Sequence, residues 1–171
     1  MTIVYRDAGP DDAPLVQRLF RESFVDTFGH LYAAEDLAAF LGKFSLEAWQ
    51  AELGDPDIAI RIAEEAGEAL GFAKIGPLSL PFDTDAKAFE LRQLYLLPPG
   101  KGRGIAAALM DWALAEMRRR SAEEAYLSVY ADNHRALRFY ARYGFDMVGS
   151  YHFMVGNQAD DDRIMRLRLR K

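Results

Sequence analysis

LRQLYLLPPGKGRGIA, residues 91–106, decides the fold. Strand-forming residues run into Pro98 and Pro99, a basic turn punctuated by Gly100, Gly102 and Gly104 follows, and an alanine- and leucine-rich helix begins at Ile105. Glycine lets a backbone turn sharply and come close to a ligand, and the first N–H groups of a helix have no partner inside it. The positive end of the helix dipole and the side chains of Lys101 and Arg103 supply matching charge. The turn therefore predicts a site for a phosphate or pyrophosphate.

Known glycine-rich motifs narrow the ligand. The kinase-type P-loop does not fit, because Gly100-Lys101 is followed by Gly102 and its first glycine position holds Tyr95. The dinucleotide fingerprint fits locally, since Gly102, Gly104 and Ala107 satisfy G-x-G-x-x-A between a strand and a helix. Its ribose-binding acid is misplaced, however: Glu123 and Glu124 precede the next strand instead of ending it, and more than half the chain comes before the turn. A dinucleotide-binding oxidoreductase is thus the most distant alternative.

One helix and one strand further on stands a second block, Asn133, Ala136, Phe139, Tyr140, Gly144 and Phe145, in the pattern N-x-x-A-x-x-F-Y-x-x-x-G-F. With Lys101, Gly104 and Ala106 in the turn, the two blocks in this order resemble the GNAT superfamily of acetyl-CoA-dependent N-acyltransferases. Lys101 departs from the Gln or Arg usual in the family, keeping the charge but losing a planar, many-donor head group. Three longer stretches, FRESFVDTFGHLYAAEDL (20–37), ELRQLYLLP (90–98) and HFMVGNQADDDRIMRLRL (152–169), resemble the PaiA-like branch, in which polyamine N-acetylation is known. The resemblance implies an α/β (α+β) fold with a mixed central sheet of about seven strands flanked by about four helices. It covers residues 1–171 as a single domain.

The resemblance also assigns roles. The backbone of Leu94, Tyr95 and Leu96 would bind the pantetheine arm of acetyl-CoA as an added strand, and Lys101, Gly102, Arg103, Gly104, Ile105 and Ala106 would hold the pyrophosphate. Asn133 and Tyr140, seven residues apart on one helix, lie on one face about 10 Å apart by helix rise, so one cofactor can touch both. Asn133 also stands where an N-cap belongs. Tyr140 matches the family tyrosine that protonates the departing CoA thiolate, a task suited to a phenol with a pKa of about 10.

An acceptor amine poses the opposite problem, since at pH 7 only about one part in a thousand of a primary amine is neutral and able to attack a thioester. Glu90, entering the central strand, is the candidate base. Two competing readings are a solvent-facing strand charge and an ion pair with Arg92, which a two-residue period places on the same face. For the acceptor itself, Phe24, Phe28 and Tyr32 with Asp26, Glu35 and Asp36 are candidates for an apolar, cation-binding mouth, with Asp83 or Asp85 of the loop at 77–87 leaning over it.

Composition bounds the rest. A chain of 171 residues, half of them hydrophobic, fills one core. The absence of cysteine excludes disulfides, thiolate nucleophiles and Cys-based zinc sites, and His30, His134 and His152 form no metal-ligand spacing, so no metal is expected. A net charge of −5 argues against nucleic-acid binding and is compatible with a cationic substrate. Neither a secretion signal nor a membrane-spanning run is read, which gives a cytoplasmic expectation and no membrane partner. A monomer or homodimer is expected.

Periodicity predicts strands at Ile3–Arg6, Ile58–Ala63, Leu70–Ile75, Glu90–Leu97, Tyr126–Tyr130, Met147–Met154 and Ile164–Leu169. In the last, Arg166, Arg168 and Arg170 alternate with apolar residues as the solvent face of a half-buried strand. Helices are predicted at Asp11–Phe28, Ile105–Arg119 and Asn133–Tyr143, with one or two more over Ala33–Leu53, restarting after Ser45. The function expected is acetyl transfer from acetyl-CoA to a small primary amine, such as spermidine or spermine, by direct attack. The alternative is a CoA-binding sensor or regulatory module without catalysis.

Overall fold

Period-two strands and two-faced helices assemble around one sheet in the computed structural model, which describes residues 2–169. Strands β1 (Ile3–Asp7), β2 (Ala59–Glu65), β3 (Glu68–Pro77) and β4 (Ala88–Leu96) pair antiparallel in that order. The β2–β3 hairpin turns at Ala66 and Gly67, whose φ values of 52° and 81° suit a tight two-residue turn. β4 meets β5 (Glu124–Tyr130) in parallel, and β7 (Gln158–Arg168) and then β6 (Asp146–Val155) complete the sheet in the order β1-β2-β3-β4-β5-β7-β6.

Helices cover both faces. On one, α1 (Ala13–Phe28), α2 (Ala34–Gly42) and α3 (Leu46–Leu53) pack Phe20, Phe24, Phe40 and Trp49 against Ile60, Ile62 and Phe72. On the other, α4 (Ile105–Arg119) sets Leu109, Met110, Ala113 and Met117 on Ala73, Ile75, Leu91 and Leu127, and α5 (His134–Arg142) joins the same cluster through Ala136, Leu137 and Tyr140. Five α-helices therefore stand among the described residues, the upper count of the one or two expected over Ala33–Leu53. The restart expected after Ser45 is made by its side chain, whose Oγ accepts from Ala48 N at 3.1 Å and starts α3 as a separate helix.

Two local features open the sheet. β4 and β5 pair only at Ala88–Glu124, Phe89–Ala125 and Glu90–Tyr126, after which the strands part. Where they part, the β3–β4 register steps from Lys74–Gln93 to Ile75–Leu91, leaving Arg92 as the extra residue of a bulge. A bulge reverses the alternation of faces, so the two-residue period linking Glu90 to Arg92 is broken. No Glu90–Arg92 ion pair forms. Glu90 instead accepts from Ser79 N at 2.9 Å and Ser79 Oγ at 2.7 Å, while Arg92 Nη2 donates to Pro77 O at 2.7 Å.

α4 spans the range the sequence predicts, and α1 starts two residues late because Pro10–Asp12 wind as a 3-10 turn. β7 departs most, beginning at Gln158 rather than Ile164. Its first residues, QADDD, have poor strand propensity; pairing with Phe153, Tyr151 and Tyr130 imposes the strand on them. The β6–β7 turn is fixed from outside: Asp36 Oδ1 of α2 accepts from Asn157 N at 2.9 Å, and a Cβ on Gly156 would fall 2.5 Å from Asp36 Cα. In the final strand Arg168 is exposed, whereas Arg166 is half-buried, 3.8 Å from Glu124; Arg170 lies outside the described residues.

Candidate active site

The parting of β4 from β5 creates a cleft of about 700 Å³ that reaches both faces of the sheet. Leu91–Leu96 form one wall and Leu127–Tyr130 the other, leaving the backbone edge of β4 unpaired along the opening. Along the cleft the charge changes sign.

At one end lies the glycine turn. Gly102 and Gly104 hold φ values of 74° and 79°, a left-handed region that side chains rarely enter. The first intrahelical bond of α4 runs from Ala108 N to Gly104 O, so the N–H groups of Ile105, Ala106 and Ala107 have no helical partner, and all three residues line the cleft. Lys101 joins them, as do Arg135, Arg138 and Arg142 of α5. Lys101 also pairs with Asp26, Nζ to Oδ2 at 3.3 Å, both groups exposed. Asn133 caps α5, its Oδ1 accepting from Ala136 N at 3.3 Å, and lines the cleft as well.

The opposite end is aromatic and acidic. Phe24, Phe28, Tyr32, Phe40, Phe153 and Tyr95 line it, with Phe24 and Tyr32 stacked at 6.1 Å and Tyr95 meeting Phe20 edge-on at 5.5 Å. Asp160 and Asp162 lie in this wall at 6% and 7% exposure. Tyr32 Oη donates to Asp160, and burial together with that bond holds the Tyr32 phenol well above its usual range. Burial, reinforced by the charges of Asp160 and Asp161, pushes Asp162 up to about 7. Tyr140, contacting Phe139 and Phe145, is pushed up to about 12 by burial alone. Burial likewise raises Tyr95, and the neighbouring Tyr140, Asp162 and Tyr151 add to the effect.

The cleft brings together Leu94, Tyr95, Leu96, Lys101, Gly102, Gly104, Ile105, Ala106, Asn133, Tyr140, Phe24, Phe28 and Tyr32 from distant parts of the sequence. Arg103, Glu90 and Asp26 do not line it. Arg103 turns outward to Glu65, Nη2 to Oε2 at 2.5 Å; Glu90 is buried under Ser79; Asp26 lies on the outer side of α1 against Lys101. The loop expected over the mouth folds elsewhere, with Thr84 donating to Glu124 at 2.7 Å and Phe82 on Tyr126. Sequence reasoning missed the three α5 arginines, legible from their i, i+3, i+7 spacing, and the two aspartates, hidden in a charged triplet that reads as a turn. Among the described residues no group of three His, Cys, Asp or Glu is placed to hold a metal, and no helix is long and apolar enough to cross a membrane.

The model of the acetyltransferase (GNAT) family matches residues 15–145. An uncharacterized N-acetyltransferase of Mycobacterium tuberculosis is 37% identical over 134 residues, covering 78% of this chain and 82% of its own. One from Archaeoglobus fulgidus is 38% identical over 136 residues, 80% and 88% of the two chains. The crystal structure of the PaiA N-acetyltransferase of Thermoplasma acidophilum, in complex with coenzyme A, superposes with a TM-score of 0.78 over 98% of this chain and 99% of that one, at 24% identity. The split seven-stranded sheet and the glycine turn that opens α4 are thus those of an N-acetyltransferase, and the chain belongs to the acetyltransferase (GNAT) family.

Proposed function

We propose that the protein transfers the acetyl group of acetyl-CoA to a primary amine, with a short polyamine as the preferred acceptor class. The observation that carries this reading is the segregation of charge by element in one cleft, with Lys101 in the glycine turn, Arg135, Arg138 and Arg142 on α5 and Arg92 on β4, against Asp160 and Asp162 together on β7 beside Tyr32. A cosubstrate bearing phosphates matches the first set and a cationic amine the second.

The residues present fit acetyl-CoA. The free N–H groups at the start of α4 with Lys101 suit the pyrophosphate, and the exposed Lys101–Asp26 pair is weak enough for a phosphate to displace. The unpaired edge at Leu94, Tyr95 and Leu96 suits the two amides of a pantetheine arm, by the same bonds that would add a strand. Bound acetyl-CoA supplies an activated thioester. Tyr140 has no protein partner drawing on its hydroxyl among the described residues and is assigned the proton given to the leaving thiolate. With its pKa raised, the phenol remains protonated at every working pH.

A thiol-release assay with acetyl-CoA against spermidine, spermine, amino acids, aminoglycosides and short peptides tests the reading. Turnover is expected with the polyamines. Silence across the panel with CoA still bound would favour the binding-module alternative. Tyr140→Phe should lower kcat by about 10²-fold or more while CoA affinity, measured by calorimetry, stays within a factor of about two; unaltered kcat would remove its acid role.

A further inference from the structure

We propose that the Asp162 carboxylate receives the proton that the acceptor's ammonium must lose, while Asp160, held by Tyr32, positions that ammonium at the aromatic end of the cleft. The proposal rests on the reading of the protein as an amine acetyltransferase.

Geometry singles out this pair. The alternation of β7 puts Asp160 and Asp162 on the cleft face and turns Asp161 away to Arg163, Nη1 to Oδ1 at 2.5 Å. Among the described residues these two are the carboxylates that line the cleft; every other charged side chain there is basic. Neither is ion-paired. Asp160 accepts from two uncharged donors, Tyr32 Oη and Gln158 Nε2, the latter at 3.1 Å, and beside Asp162 stands the Ser128 hydroxyl, which itself accepts from Tyr151 Oη at 3.1 Å. Two nearly buried carboxylates with no ion-pair contact among the described residues are costly, and a ligand cation relieves that cost. A second pointer is Gln93, two residues before Tyr95 on β4, whose Oε1 is buried without a donor although the residue lines the same cleft. A primary ammonium meets these needs with three N–H donors, and the faces of Tyr32, Phe24 and Phe28 favour its charge.

Position favours Asp162 over Glu90 as the base. Asp162 lines the same cleft as Tyr95 and Tyr140 and acts on the Tyr95 phenol, whereas Glu90 is engaged by Ser79 and does not line the cleft. The groups facing Asp162 are Asp160 on its own strand, Ser128 and Tyr130 on β5, Tyr151 on β6, Tyr95 on β4 and Tyr32 after α1, while Asp161 and Arg163 act on it from the opposite face of β7. An ordinary carboxylate with a pKa of about 4 would take a proton from an ammonium of pKa about 10 with an equilibrium constant of about 10⁻⁶. At about 7, the value to which its surroundings push Asp162, that constant rises to about 10⁻³.

The protons balance. The ammonium gives one to Asp162, and its freed lone pair forms the N–C bond at the thioester carbonyl. As the C–S bond breaks, the sulfur takes the Tyr140 proton, and the second N–H proton restores the phenol. Asp162 returns its proton to water when the products leave, so ammonium and thioester yield amide, thiol and one proton.

The test compares wild type, Asp162→Asn, Asp160→Asn and Glu90→Gln in pH profiles of thiol release with spermidine, or with whichever amine of the panel turns over best. Infrared titration of the ligand-free proteins runs alongside. Wild type should show an ionisation near pH 7 in kcat/KM, and a protonated-carboxyl band titrating near the same pH. Asp162→Asn should lose both, fall about 10²-fold or more at pH 7, recover as the amine deprotonates, and bind CoA as before. Asp160→Asn should keep the ionisation and mainly raise the KM for the amine. An unchanged profile in Asp162→Asn, or loss of the ionisation in Glu90→Gln instead, overturns the assignment while acetyl transfer stands. A wild type that acetylates no amine removes the reading and this proposal together.

Discussion

Asp162 shows at the scale of one residue what a functional site costs the fold. Its pKa is about 7 in the folded chain against an ordinary 3.8, so between those pH values the native state holds more protons than the unfolded one. Stability therefore falls as pH rises from about 4 to 7, and the full penalty is present above 7. Asparagine mimics the protonated form, so Asp162→Asn should raise Tm by several degrees at pH 8 and change it little at pH 4, as scanning calorimetry would read. An equal shift at both pH values would mean that the carboxylate is not destabilised by its surroundings. Little of this was legible in the sequence. Lys101, Asn133 and Tyr140 stand in motifs with fixed spacing, whereas Asp160 and Asp162 acquire meaning only through their register with β5 and β6. Asp26 misled for a related reason: its helix position is readable, but its exposed pairing with Lys101, 75 residues away, is not.

Among elements, the start of α4 is the one most completely written in the chain. Prolines stop β4, glycines supply the two positive φ values, and the helix follows at once, so its range could be read directly. Gly104 is the last residue before the helix, at φ 79°, with nothing within 4 Å of where a Cβ would stand. Gly104→Ala therefore tests conformation without steric clash. Left-handed backbone costs an L-residue about 1–2 kcal/mol, so Tm should drop by about 2–8 °C, and CoA affinity should weaken as the turn relaxes away from the ligand. An unchanged Tm would show that the turn adopts another shape at no cost. The bulge at Arg92 was not legible, because a run such as ELRQLYL reads as unbroken alternation; only the partner strand reveals the extra residue.

For the whole molecule, the sheet consists of two leaves, β1–β4 and β5–β7–β6, joined directly by three residue pairs. A ligand lying in the opening bridges them. Saturation with CoA at about 100 times its Kd should stabilise the fold by about 2.7 kcal/mol and raise Tm by about 5–10 °C. Hydrogen exchange should slow at Leu94–Leu96 and Leu127–Tyr130, which face the opening, and not at β1. Equal slowing throughout would mean that the two leaves open as one unit and that CoA acts only through global stability. The seven strands and their two layers of helices followed from motif order and periodicity. The split between the leaves did not, since both of its walls look like ordinary strands in isolation.

The docking of the β6–β7 turn on α2, through Gly156 and Asp36, ties the chain's beginning to its end. One end of the cleft comes from a single continuous segment, from β4 through α5. The other is assembled from residues 20–44, from Tyr95 of β4, and from Phe153 of β6 and Asp160 and Asp162 of β7, beyond residue 145, where the family match stops. Acceptor preference is therefore a composite trait: a chimera that takes only one of the two outer segments from a relative inherits half a mouth, whereas exchanging both as a set carries the mouth over and alters the cofactor end only at the Asp26 partner of Lys101.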